Sequence, residues 1–274
     1  MAGAVPPADG GRAALTVSEV SVRFGGVAAL NGVSLGVEPG VVTGLIGPNG
    51  AGKTTLFNVI SGLQVPDRGT VHFFDVDVTG IRPHRRARLG LARTFQRLEL
   101  FGSLTAGDNV RVGIESAMEW WRLEHLRRIL SRGRSGGSAS VSVRCQELLG
   151  RVGLAGRAGD HASAMSTGSA RMIELARALA LEPKLLLLDE PGSGLDDAEA
   201  QALGELLTSL ARDGMAVLLV EHDMELVMRV CQFIYVLDFG EVIAAGSPEE
   251  VRADPRVQAA YLGAAEDVGV GGGR

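Results

Sequence analysis

The sequence predicts an α/β fold with a mostly parallel sheet at its core, antiparallel strands ahead of that core and a helical subdomain inserted into it. Three observations lead there. Short apolar runs alternate with stretches of helical spacing from Ser169 to Leu237. An earlier apolar run, Val41–Ile46, passes straight into a glycine-rich turn. Between about 83 and 164 the chain changes character, becoming basic, then helical, then rich in serine and glycine.

Composition sets the bounds. With 274 residues, 46% hydrophobic and 22% charged, the chain can bury one substantial core, or a core and a subdomain. Aromatic residues are only 4%, so the core is expected to be aliphatic. The 38 glycines are about double average usage and are expected where backbone turns sharply or approaches a ligand. A formal net charge of -5 argues against a nucleic-acid partner. Cys145 and Cys231 lie outside any metal-ligand spacing and read as small core residues in a reducing compartment. No run reaches the ~18 continuous apolar residues of a membrane span, and residues 1–13 lack the apolar segment of a secretory leader. A membrane role is therefore expected to come through partners.

In chain order, residues 1–14 read as a flexible tail. Leu15–Arg23 and Leu30–Val37 read as strands around the Gly25-Gly26 turn, and Val41–Ile46 as a buried strand followed by a helix from about Gly52. Thr70–Phe74 is another strand. Arg82, Arg85, Arg86 and Arg88 form a basic cluster, read as a solvated face, with contact to lipid headgroups or a membrane subunit as the alternative. Asn109–Leu130 and Cys145–Val152 read as helical, separated by a mobile loop at Ser131–Ser140. The core then resumes: helix Ser169–Leu181, strand Leu185–Leu188, helix Asp196–Ala211, strand Met215–Val220, helix Met224–Val230, strand Phe233–Leu237. The main domain is expected over 15–263, with a flexible tail at 264–274.

Gly47-Pro48-Asn49-Gly50-Ala51-Gly52-Lys53-Thr54 matches the phosphate-binding loop GxxxxGK[ST] without a mismatch, between a strand and a helix as that motif requires. Its glycines let successive amides face phosphates, and the helix N-terminus adds favourable electrostatics. Lys53 is expected to reach the β- and γ-phosphates, and Thr54 to coordinate Mg²⁺. The core is thus of the P-loop NTPase type. Leu185–Leu188 delivers Asp189-Glu190 to the carboxyl end of a strand, the edge where such sheets bind ligands. Asp189 suits a metal ion or its water shell, and Glu190 suits an attacking water. His222 follows a strand to the same edge and has the chemistry to sense a γ-phosphate. Gln96 offers a neutral oxygen to metal or water. Taken alone, His222 and Gln96 each read as ordinary polar residues.

Together these residues resemble the ATPase subunit of ABC transporters over Leu15–Gly263. The phosphate loop, Gln96, a signature region at 165–169, Asp189 and Glu190, the loop Ser193–Asp196 and His222 stand in that family's order. The resemblance implies that Thr55 joins the phosphate-binding residues and that Phe24 sits where an aromatic stacks on adenine, a core position being its alternative. The signature departs from the family's Leu-Ser-Gly-Gly-Gln, reading Met165-Ser166-Thr167-Gly168-Ser169. Ser166 and Gly168 remain to contact ATP held by an opposing subunit. The run Ile173–Ala180 matches the family and supports the alignment. Leu91–Gln96, His222–Met224 with Val227-Met228, and the tail Gly240–Gly263 are similar to the branched-chain amino acid transporter ATPases.

That resemblance implies ATP and Mg²⁺ as ligands and a peripheral position on the cytoplasmic side of the inner membrane. It implies as partners two transmembrane permease subunits, a second ATPase subunit or second copy, and an external solute-binding protein, with docking near Arg97–Leu104. Importers of urea or amides and exporters of lipids or drugs are the alternatives. An ABC protein of DNA repair or translation would need a coiled-coil insertion or a second ATPase domain, which 274 residues do not accommodate. A non-catalytic scaffold would be expected to lack Lys53 or Glu190.

Overall fold

The computed structural model describes residues 13–125 and 138–266. Strands β1 (Leu15–Phe24) and β2 (Val27–Val37) form a hairpin across Gly25-Gly26. β3 (Val42–Ile46) is buried at every residue and leads through the phosphate loop into α1 (Lys53–Ser61). β4 (Arg68–Phe73) and β5 (Val76–Asp77) complete an antiparallel sheet in the order β2-β1-β4-β5. The chain continues through α2 (Pro83–Leu89), β6 (Leu91–Arg93), α3 (Ala106–His125), α4 (Ser138–Arg151) and α5 (Thr167–Leu179). It closes with β7 (Leu185–Asp189), α6 (Asp197–Arg212), β8 (Ala216–Val220), α7 (Met224–Val230), β9 (Phe233–Asp238), β10 (Glu241–Gly246), α8 (Pro248–Ala253) and α9 (Pro255–Glu266).

The second sheet has the order β10-β9-β3-β8-β7-β6, parallel throughout except for the antiparallel edge strand β10. Its strands are apolar on both faces, as a sheet covered on both sides requires. Leu185, Leu187, Ala216, Leu218, Tyr235 and Leu237 face α1 and the antiparallel sheet. Leu186, Leu188, Val217, Leu219, Ile234 and Val236 face the helices from α3 onward. Each fully buried leucine contributes about 1.5–3 kcal/mol. The Tyr235 hydroxyl accepts the Gly36 amide at 3.0 Å and so pins the two sheets together. Cys145 and Cys231 are both buried, and burial pushes the Cys231 thiol up to about 12.

Several boundaries differ from the sequence reading. Ala14 is fully buried and donates its amide to Val37, so order begins before Leu15. β6 falls inside the range assigned to the helical insert yet pairs with β7 in the main sheet. Ser138–Ser140, read as loop, already belongs to α4. The remainder of that loop, and the ends 1–12 and 267–274, lie outside the described residues; α9 reaches Glu266, past the expected end of the domain at 263.

The basic cluster needs the largest correction. Arg82, Arg85 and Arg88 are exposed, but Arg86 is 1% exposed. Its guanidinium donates to the carbonyls of Val59 (2.7 Å) and Ile60 (2.6 Å) at the end of α1, and to those of Ile81 (2.8 Å) and Thr79 (3.0 Å). Gly62 makes room for it, because a Cβ there would lie 2.7 Å from Arg86 Nε. Desolvation lowers the Arg86 pKa to about 10. Replacing Arg86 with Met keeps the volume and removes a donor from four carbonyls, two of them in buried hydrogen bonds. Urea unfolding of Arg86→Met is expected to show a loss of about 3 kcal/mol or more. A loss below about 1 kcal/mol would mean that the carbonyls are satisfied in another way.

Candidate active site

The site is assembled by strand register. Leu45 of β3 lies opposite Val220 of β8, and Val220 lies opposite Asp189 of β7. The three strands therefore end at one level, and the segments that leave them carry Gly47–Thr54, Glu190 and Glu221-His222.

The phosphate loop is shaped by close backbone contacts. Gly52 has φ 106°, and a Cβ there would sit 2.6 Å from the Ala29 carbonyl. Gly240 donates its amide to the Ala51 carbonyl at 2.9 Å and accepts the Asn31 amide at 2.8 Å, tying the loop to β2 and to the β9–β10 turn. Helices α6 and α8 cap themselves with Asp196/Glu199 and Ser247/Glu250. α1 opens on Gly52 with no side-chain cap and no acid in its first turn. Its first amides are left to an anion. Lys53, 7% exposed, donates to the carbonyls of Gly47 (2.5 Å) and Pro48 (2.9 Å). Burial lowers its pKa, and Glu190 and Asp189 oppose that shift.

Glu190 has φ 50°, a left-handed conformation that a non-glycine residue adopts at a cost of order 1–3 kcal/mol. Both its oxygens are engaged. Gln96 Nε2 donates to Oε2 at 2.9 Å, and His222 Nε2 lies 2.5 Å from Oε1. The structure thus joins into one cluster three residues from separate loops. Asp189 pairs with Arg93 at 3.1 Å, the two side chains being 5% and 6% exposed. Arg93 also donates to Asn58 (2.8 Å) and Ser61 (3.0 Å) on α1, and its guanidinium lies over the rings of Phe57 and Phe95. Burial raises the Asp189 pKa and Arg93 opposes the rise.

Ser166 caps α5 by accepting the Ser169 amide at 3.2 Å. Ser169 Oγ in turn accepts from Ser166 Oγ at 3.1 Å and from Arg157 Nη1 at 3.0 Å. The serine at the departing position is thus held in a local network. Gly168 lies against the Glu199 carboxylate, which a Cβ there would displace from its place in the α6 capping box. Ser166 is exposed at the surface. Thr54 is exposed, Thr55 half-buried, and Phe24, at the end of β1, is 54% exposed, so it is not a core residue.

Sequence reasoning missed Arg93, Arg171, Glu221 and Tyr261. Arg171 on α5 donates to the carbonyls of Ser193 (3.1 Å) and Gln96 (3.3 Å), linking two of the loops. Tyr261 on α9 takes a hydrogen bond from the Gly47 backbone, while burial raises its pKa. Arg93 and Tyr261 lie in the segments Leu91–Gln96 and Gly240–Gly263 that carried the family resemblance, without a site role being given to either; nothing local marked Arg171 or Glu221.

An uncapped phosphate loop, a buried lysine and an acid poised at the same sheet edge define a P-loop nucleoside triphosphatase site. Residues 30–193 match the family described as ABC transporter, and residues 241–267 match the family described as branched-chain amino acid ATP-binding cassette transporter. The chain is 38% identical over 252 residues to the high-affinity branched-chain amino acid transport ATP-binding protein LivG of Escherichia coli K12, covering 92% of this chain and 98% of the relative. It is 38% identical over 255 residues to BraF of Pseudomonas aeruginosa, a protein of the same description, covering 93% and 99%. It is also 36% identical to the lipopolysaccharide export system ATP-binding protein LptB of Acidithiobacillus ferridurans, covering 84% and 89%. Among solved structures, the ADP conformation of MJ1267, an ATP-binding cassette of an ABC transporter, superposes with a TM-score of 0.79 at 29% identity, covering 92% and 99%. The chain belongs to the ATP-binding subunits of the ABC transporter family.

The Arg93–Asp189 pair gives a test of the site's electrostatics. Arg93→Met leaves a buried carboxylate without its cation and is expected to cost about 3 kcal/mol or more of stability. Adding Asp189→Asn removes the stranded charge, so the double variant is expected to be more stable than Arg93→Met alone in urea unfolding. Losses that simply add would show that the pair is not coupled.

Proposed function

We propose that this chain binds and hydrolyses ATP to energise import of branched-chain or other hydrophobic amino acids through a multi-subunit ABC transporter. The observation that carries the hydrolytic reading is the joining of Gln96, Glu190 and His222 beside the phosphate loop. In this reading the amides of Gly50–Thr54 hold the phosphates and Lys53 exchanges its two loop carbonyls for phosphate oxygens. Phe24 stacks on the base, as its exposure allows. Glu190 is the general base. His222 leaves Oε1 for the γ-phosphate, and the freed oxygen accepts a proton from the attacking water. The strained backbone at Glu190 aims its carboxylate.

The hydroxyl of Thr54, the amide oxygen of Gln96 and the carboxylate of Asp189 are hard oxygen donors of the kind Mg²⁺ takes beside substrate phosphates. Gln96 Nε2 is already committed to Glu190, which leaves the amide oxygen as its donor. Mg²⁺ would neutralise charge developing between the β- and γ-phosphates.

Ser166 and Gly168, at the start of α5, serve the ATP of a second ATPase subunit. Two transmembrane permease subunits and an external solute-binding protein complete the assembly. A concavity of about 300 Å³ lined by Phe95, Phe101, Val112, Gly113 and Leu181 sits beside Gln96 and suits an apolar permease segment. Among the described residues no helix is long and apolar enough to cross a membrane, which fits a peripheral place on the cytoplasmic side. The export relative keeps a lipid substrate in view, but the match of 241–267 to the branched-chain family favours amino acids.

In the assembled transporter, Glu190→Gln is expected to hold ATP about as tightly as the parent and turn over roughly a hundredfold slower. Lys53→Ala is expected to lose ATP binding. Turnover of Glu190→Gln near the parent rate would remove Glu190 from the mechanism. Substrate is tested by adding the solute-binding protein loaded with leucine, urea or an amide; import of branched-chain amino acids requires that leucine stimulate hydrolysis most.

A further inference from the structure

Glu221 directly follows the apolar strand β8, is 3% exposed, and has no part in the steps described above. Its carboxylate is held by backbone amides from two loops. Gly192 N donates to Oε1 at 2.5 Å and His222 N to Oε2 at 3.1 Å, and the Asp223 amide donates as well. Burial raises the Glu221 pKa while these amides oppose the rise.

The first of those loops, 190–196, carries Glu190; the second, 221–223, carries His222. Gly192 permits their approach. A Cβ at that position would lie 2.7 Å from Glu221 Oε1 and 3.2 Å from Leu226 Cδ2. Asp223 is fixed in turn, because its side chain caps α7 by accepting the amides of Glu225 (2.8 Å) and Leu226 (3.2 Å). A buried carboxylate is costly unless its lone pairs are filled. Here they are filled by amides that belong to the two loops whose side chains meet, Glu190 Oε1 on His222 Nε2.

We propose that Glu221 is a positioning residue for hydrolysis: by clamping the loop 190–196 to the loop 221–223 it fixes the spacing of the two backbones that carry Glu190 and His222. The inference rests on the ATPase reading. Failure of that reading would show as hydrolysis in the parent complex that does not depend on Lys53.

Two variants attack the clamp from opposite sides. Glu221→Gln replaces one acceptor oxygen with a donor that faces a backbone amide. Gly192→Ala keeps the carboxylate and its amide donor but brings a methyl group to within 2.7 Å of Glu221 Oε1, forcing the two loops apart. In the native complex both are expected to lower kcat by about tenfold or more, the effect of small misplacement of reacting groups, with the KM for ATP within about twofold of the parent. In the isolated full chain, the His222 ring signal in NMR, assigned by its disappearance in His222→Ala, is expected to move in both variants. The signals of His72, His84 and His161 are expected to stay. A kcat within about threefold of the parent, or an unmoved His222 signal alongside a lower rate, overturns the proposal. Loss of ATP binding with the His222 signal in place also overturns it, marking Glu221 as structural support. If Glu221→Gln does not fold, Gly192→Ala decides; if neither folds, the clamp is structural and the proposal fails.

Discussion

The register that sets Leu45 opposite Val220, and Val220 opposite Asp189, determines where every reacting group can stand. Three parallel strands with fully buried side chains stop together, and the chain turns away from each at the same edge. A slip of one residue would reverse the two faces of a strand and bury its polar terminus. The apolar runs that read as plain core are therefore also the rulers of the site. Their alternating faces meet two separate apolar clusters, so packing on both sides resists such a slip.

Charge is the second constraint. Lys53, Arg93, Asp189 and Glu221 are nearly buried, and each carries a desolvation cost that a neighbour offsets. Arg93 holds Asp189 to α1, Arg171 ties the Gln96 segment to the loop at Ser193, and Tyr261 brings the C-terminal helix onto Gly47. The nucleotide loop is thus braced from both flanks. The residues matched by the branched-chain family supply one of those braces.

How much of this was legible depended on the range of the interactions. The phosphate loop announced itself because its function needs a fixed local spacing of glycines and a lysine. The strands Leu185–Leu188 and Met215–Val220 were legible because a sheet covered on both faces needs continuous apolar runs. Arg86 was read with its exposed neighbours because its four acceptor carbonyls come from α1 and from a preceding turn, which no local pattern reveals. Arg171 was missed for the same reason, its partners being carbonyls of distant loops, and Glu221 because its link to the Gly192 amide spans 29 residues. Ser138–Ser140 has loop composition, yet it forms the first turn of α4, whose downstream residues pack in the helical core. The cost of a poor helical start is small beside that burial.

The central claim is that ATP is held and cleaved at this edge between two ATPase subunits. A structure of the Glu190→Gln complex with ATP and Mg²⁺ tests it most directly. The account predicts the γ-phosphate in hydrogen-bond contact with Lys53 and His222 of one subunit and with a signature serine of the other. Nucleotide bound elsewhere, or bound here while Lys53 remains on the Gly47 and Pro48 carbonyls and His222 remains beside residue 190, would contradict it.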